Sequence, residues 1–342
     1  MIKIKNIFYM LSYAYQTLKE DKYKKIATEE FEKTADLFSE ILIIGVSHQI
    51  KQGLFKDYID ITETTSSIHG KINVSESIKN QSIIKRQLNC TYDEFSVNCY
   101  LNQIIKSTVA LLLKSDIPLK NKKKLKSILM YFREVDLIDV NNIDWKIRFD
   151  RNNQTYRMII GICYLTINGL LQSKKKGETK LMDFLDEQSM HRLYEKFILN
   201  YYIREHPEIN ASASQISWQI DDDNYFMLPK MQSDVYLEHE NKILIIDAKY
   251  YSQTTQSNWD VNTVRSGNLY QIFTYVKNKQ LDVKEKNIEV SGMLLYARTN
   301  ENIHPDNEYM MSGNKISVKT LDLNKEFNVI KNQLDNLIFD YF

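Results

Sequence analysis

Cysteine, glycine and proline are scarce in this chain of 342 residues, and their scarcity disfavours several classes of protein. The three cysteines form no CxxC pair and no cluster with histidine, which disfavours a disulfide framework and a structural zinc site and favours a reducing cytosol. The nine glycines and four prolines lie far below the average of about 12%, which disfavours long linkers, collagen-like repeats and turn-dense all-β folds. The length predicts two domains, each able to bury a core.

Long apolar runs and an excess of either charge are also lacking. The most apolar stretch, residues 158–171, is interrupted by Asn168, whereas a transmembrane helix needs about 20 apolar residues. The first residues contain two lysines and an apolar stretch but no small-residue cleavage site, which disfavours a signal peptide. With 45 basic and 44 acidic residues, the net charge of +1 argues neither for nor against a nucleic-acid partner. We expect a cytoplasmic protein without membrane contact.

Hydrophobic periodicity divides the chain into two parts of different character. The first part favours helices with extended segments at 54–74, and its helices are expected at 5–19, 29–51, 95–113 and 154–171. A polar, lysine-rich stretch at 172–180 marks the boundary between an N-terminal domain, 1–175, and a C-terminal domain, 176–342. In the second part, helices are mixed with strands at 231–238, 242–251 and 289–296. This order predicts an α+β or α/β fold with a small central mixed sheet flanked by helices.

Two charged residues at the end of an apolar strand are the clearest indication of a functional site. Because successive side chains of a strand point to opposite faces, Asp247 and Lys249 share one face, where charges are expected only if they pair or serve a site. A hairpin through 239–241 brings Asp234 near Asp247. Two carboxylates and a lysine are the minimal set for metal-assisted phosphodiester hydrolysis, in which the carboxylates hold Mg²⁺ and the lysine steadies the water or the developing charge. A solvated edge pair is the alternative.

Two helices contribute further polar residues. Glu195 lies at the edge of an apolar stripe, one turn beyond His191, where it either reaches the margin of the sheet or forms a surface pair with that histidine. Gln271 and Tyr275 are four residues apart and lie together, away from the apolar stripe of their helix. Taken singly, each of these polar residues is more often solvated.

A glutamate on a helix, an aspartate, the sequence Asp-Ala-Lys and a Gln-x-x-x-Tyr helix together resemble the RecB-like branch of the PD-(D/E)xK nuclease superfamily. Within it, YEKF, LPKMQSDVYL, ILIIDAKYY and NLYQIFTYV resemble McrC, the family of nuclease subunits in McrBC methylation-dependent restriction systems. The stretches IKNIFYMLSYAY, HGKI and LNQIIKSTVALLLK extend the resemblance over nearly the whole chain. Ser233 stands where the superfamily name has proline, a position that varies.

The resemblance implies a DNA endonuclease dependent on Mg²⁺, with Mn²⁺ as a possible substitute, whose C-terminal domain has the PD-(D/E)xK fold. It also implies a role for each residue of the site. The implied metal ligands are Asp234, Asp247 and the Ala248 carbonyl, the catalytic lysine is Lys249, the supporting acid is Glu195, and the residues that position the water or the scissile phosphate are Gln271 and Tyr275.

The resemblance further implies a partner, a hexameric AAA+ GTPase of the McrB type that reads modified cytosine in double-stranded DNA. The chain has no G-x-x-x-x-G-K-[ST] motif, which is consistent with GTP being used by the partner and not bound here. We expect the N-terminal domain to dock on the GTPase and to stimulate it. His69, Gly70 and Lys71 form a projecting element that could enter the pore of the ring, although an ordinary hairpin tip is the commoner role.

The sequence also contains a basic stretch, and two other functions are alternatives to that of a nuclease subunit. Lys122, Lys123 and Lys124 could contact DNA phosphates, but a solvated face is the commoner role of a lysine run. One alternative is a mainly regulatory subunit that activates an NTPase and whose nuclease fold is vestigial. The other is a stand-alone RecB-like nuclease in repair, which the long N-terminal part without a DNA-reading motif disfavours.

Overall fold

The computed structural model describes residues 2–175, 187–222, 224–251, 255–258, 261–298 and 304–342. The chain divides into two compact units. One contains both ends of the chain, Met1–Glu32 with Leu185–Phe342, and we call it the sheet unit; the other, Lys33–Phe184, is called the inserted unit. Among the described residues, no helix is both long and apolar enough to cross a lipid bilayer.

Helices and strands are numbered here in chain order. The first 32 residues form α1 (Ile4–Ala14) and α2 (Lys24–Thr28). The inserted unit contains α3 (Thr34–Gln52), β1 (Asp57–Thr65), β2 (Lys71–Ile72), α4 (Val74–Lys79), β3 (Leu88–Ser96), α5 (Tyr100–Leu113), α6 (Leu119–Leu129) and α7 (Tyr156–Lys175).

The rest of the sheet unit contains three further helices and ten strands among the described residues. They are α8 (Glu187–Glu205), β4 (Asn210–Ser212), β5 (Gln215–Ile216), β6 (Met231–Gln232), β7 (Val235–His239), β8 (Lys242–Lys249), β9 (Thr255–Asn258), β10 (Val261–Val264), α9 (Ser266–Asp282), β11 (Glu289–Ala297), β12 (Asn307–Met311), β13 (Asn314–Leu321) and α10 (Phe327–Phe339).

In the inserted unit, helices α3, α5, α6 and α7 pack on one another beside a small antiparallel sheet of order β1-β3-β2. The helix expected at 95–113 begins only at Tyr100, because the residues up to Ser96 belong to β3 and pair with β1 along its whole length. Periodicity missed this strand, since its partner lies more than twenty residues away in the chain. Pairing with a distant segment therefore overrides the local pattern.

The segment 69–71, expected as a projecting element or as an ordinary hairpin tip, lies along β3 instead. Lys71 pairs with Thr91 of β3, and the ring of His69 packs edge-on against Tyr92 at 4.2 Å between centroids. Gly70 has φ +67°, and a Cβ there would lie 2.3 Å from the carbonyl oxygen of Thr91. Glycine is required because the backbone approaches β3 so closely. The side chain of Lys71 nevertheless remains exposed.

The predicted DNA-contacting lysines lie on α6 and do not form an extended basic loop. Leu125 and Ile128 face the core of the inserted unit. Lys124 lies 3.5 Å from the carboxylate of Glu40; Lys123 is exposed, whereas Lys122 and Lys124 are half-buried. The three lysines thus lie on a solvated, partly paired helix face, and their contact with DNA phosphates stays a prediction.

The central sheet of the sheet unit confirms the expected mixed architecture with flanking helices. Its six described strands lie in the order β12-β13-β11-β8-β7-β4. Strand β11 is parallel to both neighbours, β8 and β13, whereas the other pairs are antiparallel. Antiparallel strands join by short turns, but the parallel step from β8 to β11 needs a crossover, and α9 lies within it. The β12–β13 hairpin was not predicted.

Helix α9 packs closely on one face of this sheet, over Ile245 of β8. A Cβ at Gly292 of β11 would lie 2.7 Å from Val276 and 2.9 Å from Ile272, both on α9. The glycine therefore permits the close approach of helix and strand. Helix α8 contacts β8 and β7, and its aromatic residues such as Phe197 are fully buried.

The N-terminal helix corrects the expected domain 1–175, because it packs in the sheet unit. The ring of Tyr9 stacks on Phe327 of α10 at 4.3 Å, and the hydroxyl of Tyr13 donates to Glu205 of α8 at 2.7 Å. Asn6 donates to the carbonyl of Leu323 at 2.7 Å. Periodicity indicated a helix here but not which surface buries it. The predicted 175/176 boundary adjoins residues 176–186, which lie outside the described ranges.

We expect Tyr13→Ala to destabilise the sheet unit by about 3 kcal/mol, because a buried aromatic ring and its hydrogen bond are lost. Tyr13→Phe removes only the hydrogen bond and should cost about 1 kcal/mol. Amide hydrogen exchange measures this locally: exchange over α8 and α10 should accelerate, while exchange over α5 of the inserted unit stays unchanged. Acceleration confined to α5 would show that the N-terminal helix belongs to the other unit.

Candidate active site

The hairpin of β7 and β8 places the two predicted carboxylates side by side. Val235 pairs with Ile246, so Asp234, the residue before β7, lies across from Asp247. The backbone N–H of Ala248 donates to Asp234 Oδ2 at 2.8 Å, which fixes this carboxylate at the end of β8. The hairpin expected from the sequence is confirmed.

The strand preceding Asp234 is held by serine, at the position where the superfamily name has proline. Ser233 is buried, its N–H donates to the carbonyl of Ser214 at 3.0 Å, and its hydroxyl donates to the same oxygen at 2.9 Å. The N–H of Ser214 in turn donates to the hydroxyl of Ser233 at 3.2 Å. These three bonds hold the backbone before Asp234, which is the kind of constraint that proline supplies through its ring.

Asp247 and Lys249 form a buried ion pair and not the solvated edge pair considered above. Their residues are only 1% and 8% exposed, because β8 lies between β7 and β11. Nζ of Lys249 lies 2.9 Å from Asp247 Oδ2. Apart from this ammonium group and the neighbouring carboxyl of Asp234, no donor in the described residues meets either oxygen of Asp247 with hydrogen-bond geometry. A buried carboxylate with so few donors is costly and retains the capacity to bind a cation.

The two predicted residues of α9, Gln271 and Tyr275, continue a chain of hydrogen bonds that begins at Lys249. Lys249 Nζ donates to Gln271 Oε1 at 3.3 Å, and Gln271 Nε2 donates to the hydroxyl of Tyr275 at 3.0 Å. The structure thus joins these three side chains to Asp247 in one chain of contacts. The close packing of α9 on the sheet at Gly292 brings the glutamine within reach of β8.

Burial and like charge shift the acid–base equilibria of the site. Burial, then the charges of Asp247 and Glu195, raise the pKa of Asp234 to about 7. Burial also raises the pKa of Asp247, while the ammonium group of Lys249 opposes that shift. Burial lowers the pKa of Lys249, but attraction to Asp247 and Asp234 outweighs it, so the net shift is upward. Near neutral pH the lysine is therefore charged, and the two carboxyl groups tend to share a proton.

Glu195 lies near the two carboxylates, but its side chain forms an ion pair with His191. Its Oε1 is 2.6 Å from His191 Nδ1, one helical turn away on α8. Its charge contributes to the raised pKa of Asp234, and His191 contributes a downward shift to the pKa of Asp247. Both expected alternatives hold: the pair forms, and it borders the site. His191 was not predicted as a neighbour of the site, although its spacing of four from Glu195 was the available signal.

A second polar network beside the lysine was also missed. The amide of Asn268 donates to the hydroxyl of Tyr296 on β11 at 2.8 Å, and its oxygen accepts a bond from Tyr251 at 3.3 Å. Asn268 precedes Gln271 by three residues, so both lie on one face of α9. That spacing is the only sequence signal, and Tyr296 is placed here by the pairing of β11 with β8.

The site offers two carboxylates to a metal ion. Among the described residues, no group of three or more His, Cys, Asp or Glu side chains is arranged to hold one. Asp234 and the poorly satisfied Asp247 supply negative charge and oxygen atoms, which are the ligands that Mg²⁺ prefers. The donor set therefore fits a hard divalent cation held partly by water or by substrate.

The sequence profile of the family described as McrBC 5-methylcytosine restriction system component matches residues 3–297. This match covers most of the chain. The protein therefore belongs to this family of restriction-system components, and the resemblance drawn from its motifs is confirmed.

One relative agrees with this chain in length, and two solved structures are covered in part. The type IV methyl-directed restriction enzyme EcoKMcrBC of Escherichia coli (strain K12) is 27% identical over 348 residues, covering 100% of this chain and 98% of that protein. A chain in the refined half-complex from the tetradecameric assembly of Thermococcus gammatolerans McrB AAA+ hexamers with bound McrC is 17% identical, with a TM-score of 0.49, covering 98% of this chain and 76% of that one. The cryo-EM structure of the Thermococcus gammatolerans McrBC complex gives 18% identity and a TM-score of 0.41, covering 59% and 58%.

We expect Asp234→Asn to stabilise the metal-free chain at about pH 8 by about 1–3 kcal/mol. Because the folded pKa of about 7 lies above the ordinary 3.8, the folded chain retains a proton that the unfolded chain releases between these values. Stability contributed by this group is therefore lost as the pH rises through that range. Urea unfolding of both chains in EDTA at about pH 4 and about pH 8 measures the difference, which should be small at the lower pH.

The exposed Asp306→Asn serves as the control, since its removal leaves the buried charges unchanged. A lower stability of Asp234→Asn at the higher pH would contradict the electrostatic account of the site.

Proposed function

We propose that this chain is the nuclease subunit, of the McrC type, in a GTP-dependent restriction complex. It cleaves phosphodiester bonds of double-stranded DNA that contains modified cytosine, depends on Mg²⁺, and stimulates the GTPase of an AAA+ partner of the McrB type. The observation that carries the proposal is the pair of carboxylates formed by the half-buried Asp234 and the buried Asp247, with Lys249 between Asp247 and Gln271. Membership of a restriction-system family supports it independently.

Asp234, Asp247 and the carbonyl of Ala248 would hold the ion, with Mn²⁺ as a possible substitute. When bound, Mg²⁺ supplies a Lewis acid that lowers the pKa of a water and withdraws charge from the phosphate. The two carboxylates repel each other when both are ionised; burial and this repulsion raise the pKa of Asp234, whereas burial raises the pKa of Asp247. A divalent cation removes the repulsion, so cation binding and loss of the shared proton are coupled.

Lys249 would stabilise the negative charge that develops during the reaction. Its ammonium group remains protonated and is held between Asp247 and Gln271, so little reorganisation is needed when charge develops nearby. The bond from Gln271 to Tyr275 orients the amide so that its oxygen faces the lysine. Gln271 and Tyr275 thus position the lysine, and Glu195 adds negative charge beside the carboxylates.

A GTPase partner is inferred because this sequence lacks a nucleotide-binding motif of its own. The chain contains no P-loop motif, whereas its curated relative is described as a McrBC enzyme. We infer that GTP is bound and hydrolysed by an AAA+ subunit, and that the inserted unit docks on it through the region of His69, Gly70 and Lys71. The same reasoning favours action in the cytoplasm, where such DNA and GTP are available.

A purely regulatory subunit would not need to keep the charged site. Burying Asp247 and Lys249 costs stability, and a vestigial site would be free to lose those charges. The family match also favours restriction over a stand-alone role in repair.

We expect Asp247→Ala to abolish cleavage of modified duplex DNA by at least about 100-fold, while stimulation of the partner's GTPase is retained. The assays are nicking and double-strand cleavage with Mg²⁺ and GTP, and phosphate release, all with the full-length chain and its partner. Asp306→Ala is the matched control because this aspartate is exposed and precedes β12, which lies three strands from β8 in the sheet. Retention of normal cleavage by Asp247→Ala would refute the site.

Lys249→Met serves as a contrasting variant. Cleavage should again be lost, but calorimetric affinity for Mg²⁺ or Mn²⁺ should remain near normal, because the carboxylates are kept and the lysine opposes the cation. Loss of metal affinity equal to that of Asp247→Ala would show that the lysine is only the structural partner of Asp247.

We expect Lys71→Ala to reduce stimulation of the partner's GTPase by about fivefold or more, as loss of a charge contact of about 1 kcal/mol requires. Lys71 is exposed and lies on β2, so its removal leaves the nuclease site unchanged. GTP hydrolysis by the partner is measured with saturating chain, and Lys79→Ala, an exposed lysine of α4 in the same unit, is the control. Equal stimulation by all three chains would place activation elsewhere.

A further inference from the structure

Three parallel strands of the central sheet end at the edge that carries the candidate active site. Strand β8 ends at Lys249, β11 at Ala297 and β13 at Leu321. Because β11 is parallel to both of its neighbours, the carboxyl ends of all three strands meet at this edge. Ligands of open α/β sheets bind outside such an edge. The residues that follow β11 and β13 are therefore candidates for contacts with substrate.

Arg298 directly follows β11 and lies beside the lysine of the site. Tyr296 is the register partner of Lys249, and Arg298 lies two residues further along, on the same face of the sheet. Neighbouring strands are about 4.8 Å apart and two residues rise about 6.6 Å, so the Cα atoms of Lys249 and Arg298 lie about 8 Å apart. The backbone N–H of Arg298 donates to the carbonyl of Leu321 at 2.9 Å, which holds the arginine in line with the sheet.

Two neighbouring side chains orient the guanidinium group of Arg298. Its Nη1 donates to Asp322 Oδ2 at 2.5 Å, and its Nε donates to His304 Nε2 at 3.1 Å. These two bonds use two of the five N–H donors of the guanidinium group. The side chain of Arg298 is 46% exposed. The guanidinium group is thus both oriented and accessible.

The ion pair between Arg298 and Asp322 is not needed to hold the two strand ends together. The backbone bond from Arg298 to Leu321 already joins them, and Asp322 also accepts a bond from the N–H of Asn324 at 3.0 Å. Ion pairs with an exposed member contribute little to stability. The role that remains for the aspartate, which is itself largely buried, is to orient the arginine.

A second arginine lies at the same edge of the sheet. Arg265 immediately precedes α9, and its Cζ lies 4.4 Å from the centroid of the ring of Tyr251, two residues beyond Lys249. The first turn of α9 is tied to the end of β11 by the bond from Asn268 to Tyr296. The edge therefore carries two arginines in addition to the lysine of the site. Such a cluster of cations in a site attracts a polyanion.

We propose that Arg298 binds a backbone phosphate of the DNA strand close to the scissile phosphate. The planar guanidinium group matches the geometry of phosphate and binds it through paired N–H···O bonds. Successive phosphates of one strand are about 3.4 Å apart along the helix axis, so the separation of about 8 Å from Lys249 corresponds to two or three of them. A phosphate contact carries no sequence information, which leaves recognition of modified cytosine to the proposed partner. This inference rests on the proposed nuclease function.

The test compares Arg298→Gln with Asp322→Asn in full-length chains that carry Asp247→Ala, in complex with the GTPase partner. Affinity for duplex DNA is measured by fluorescence anisotropy over a series of KCl concentrations. We expect Arg298→Gln to weaken binding by about fivefold and to lower the slope of log affinity against log salt by about one. The loss should be equal for modified and unmodified duplexes, because a phosphate contact does not depend on the bases.

Asp322→Asn breaks the same ion pair but removes a negative charge, so DNA affinity should not fall. Lys319→Gln is the matched control, since it removes a cation from the opposite face of β13, and it should leave affinity and salt slope unchanged. Thermal unfolding of each chain shows whether the fold is retained.

Arg298→Lys gives a second measurement that keeps the charge and the ion pair with Asp322. Its salt slope should stay near that of the parent chain, while affinity falls by about twofold or more because the paired donors are lost. Unchanged affinity and salt slope in Arg298→Gln would overturn the phosphate contact. An equal loss of affinity in Asp322→Asn would also overturn it, since the arginine would then act only by holding the strand ends.

The proposed function is tested separately by the dependence of cleavage on Asp247 in chains that retain Arg298. Cleavage that requires Asp247, combined with normal DNA affinity of Arg298→Gln, would refute only the phosphate contact.

Discussion

Three charged groups where β7 begins and β8 ends, two of them buried on β8, are the constraint on which the sheet unit depends. Asp247 and Lys249 offset each other at 2.9 Å, but Asp234 adds a second carboxylate, so burial and repulsion raise its pKa to about 7. Apolar residues on both sides of β8 must supply the stability that this arrangement costs. The same negative charge that destabilises the fold is what a divalent cation would neutralise under the proposed function, so the penalty and the proposed metal-assisted chemistry would have one origin.

The packing of α9 on the sheet turns this charged strand end into an organised site. At Gly292 the helix approaches β11 so closely that a Cβ would collide with it, and Gln271 then reaches Lys249 at 3.3 Å. Asn268 uses the same helix face to hold Tyr296. The lysine is thus constrained by carboxylate and amide together, which limits the rotamers of a long side chain that would otherwise be free.

The order of the chain links the two units twice. The sheet unit is built from the first 32 residues and the last part of the chain, and the inserted unit lies between them in sequence. Helix α1 precedes the inserted unit in the chain, and it packs on α8 and α10, which follow that unit. The hydroxyl of Tyr13, for example, donates to Glu205. These contacts join the two parts of the sheet unit.

The sequence by itself determined that Asp247 and Lys249 share a strand face, that a hairpin brings Asp234 beside them, and that Gln271 lies with Tyr275, because these relations follow from the local periods of strands and helices. Only the tertiary structure decided that α1 joins the sheet unit, that residues 88–96 form a strand, and that segment 69–71 lies along β3. It also decided how far burial raises the pKa of Asp234. The physical reason is that local periodicity encodes which face of an element is buried, whereas the distant surface that buries it depends on packing and pairing across the whole chain.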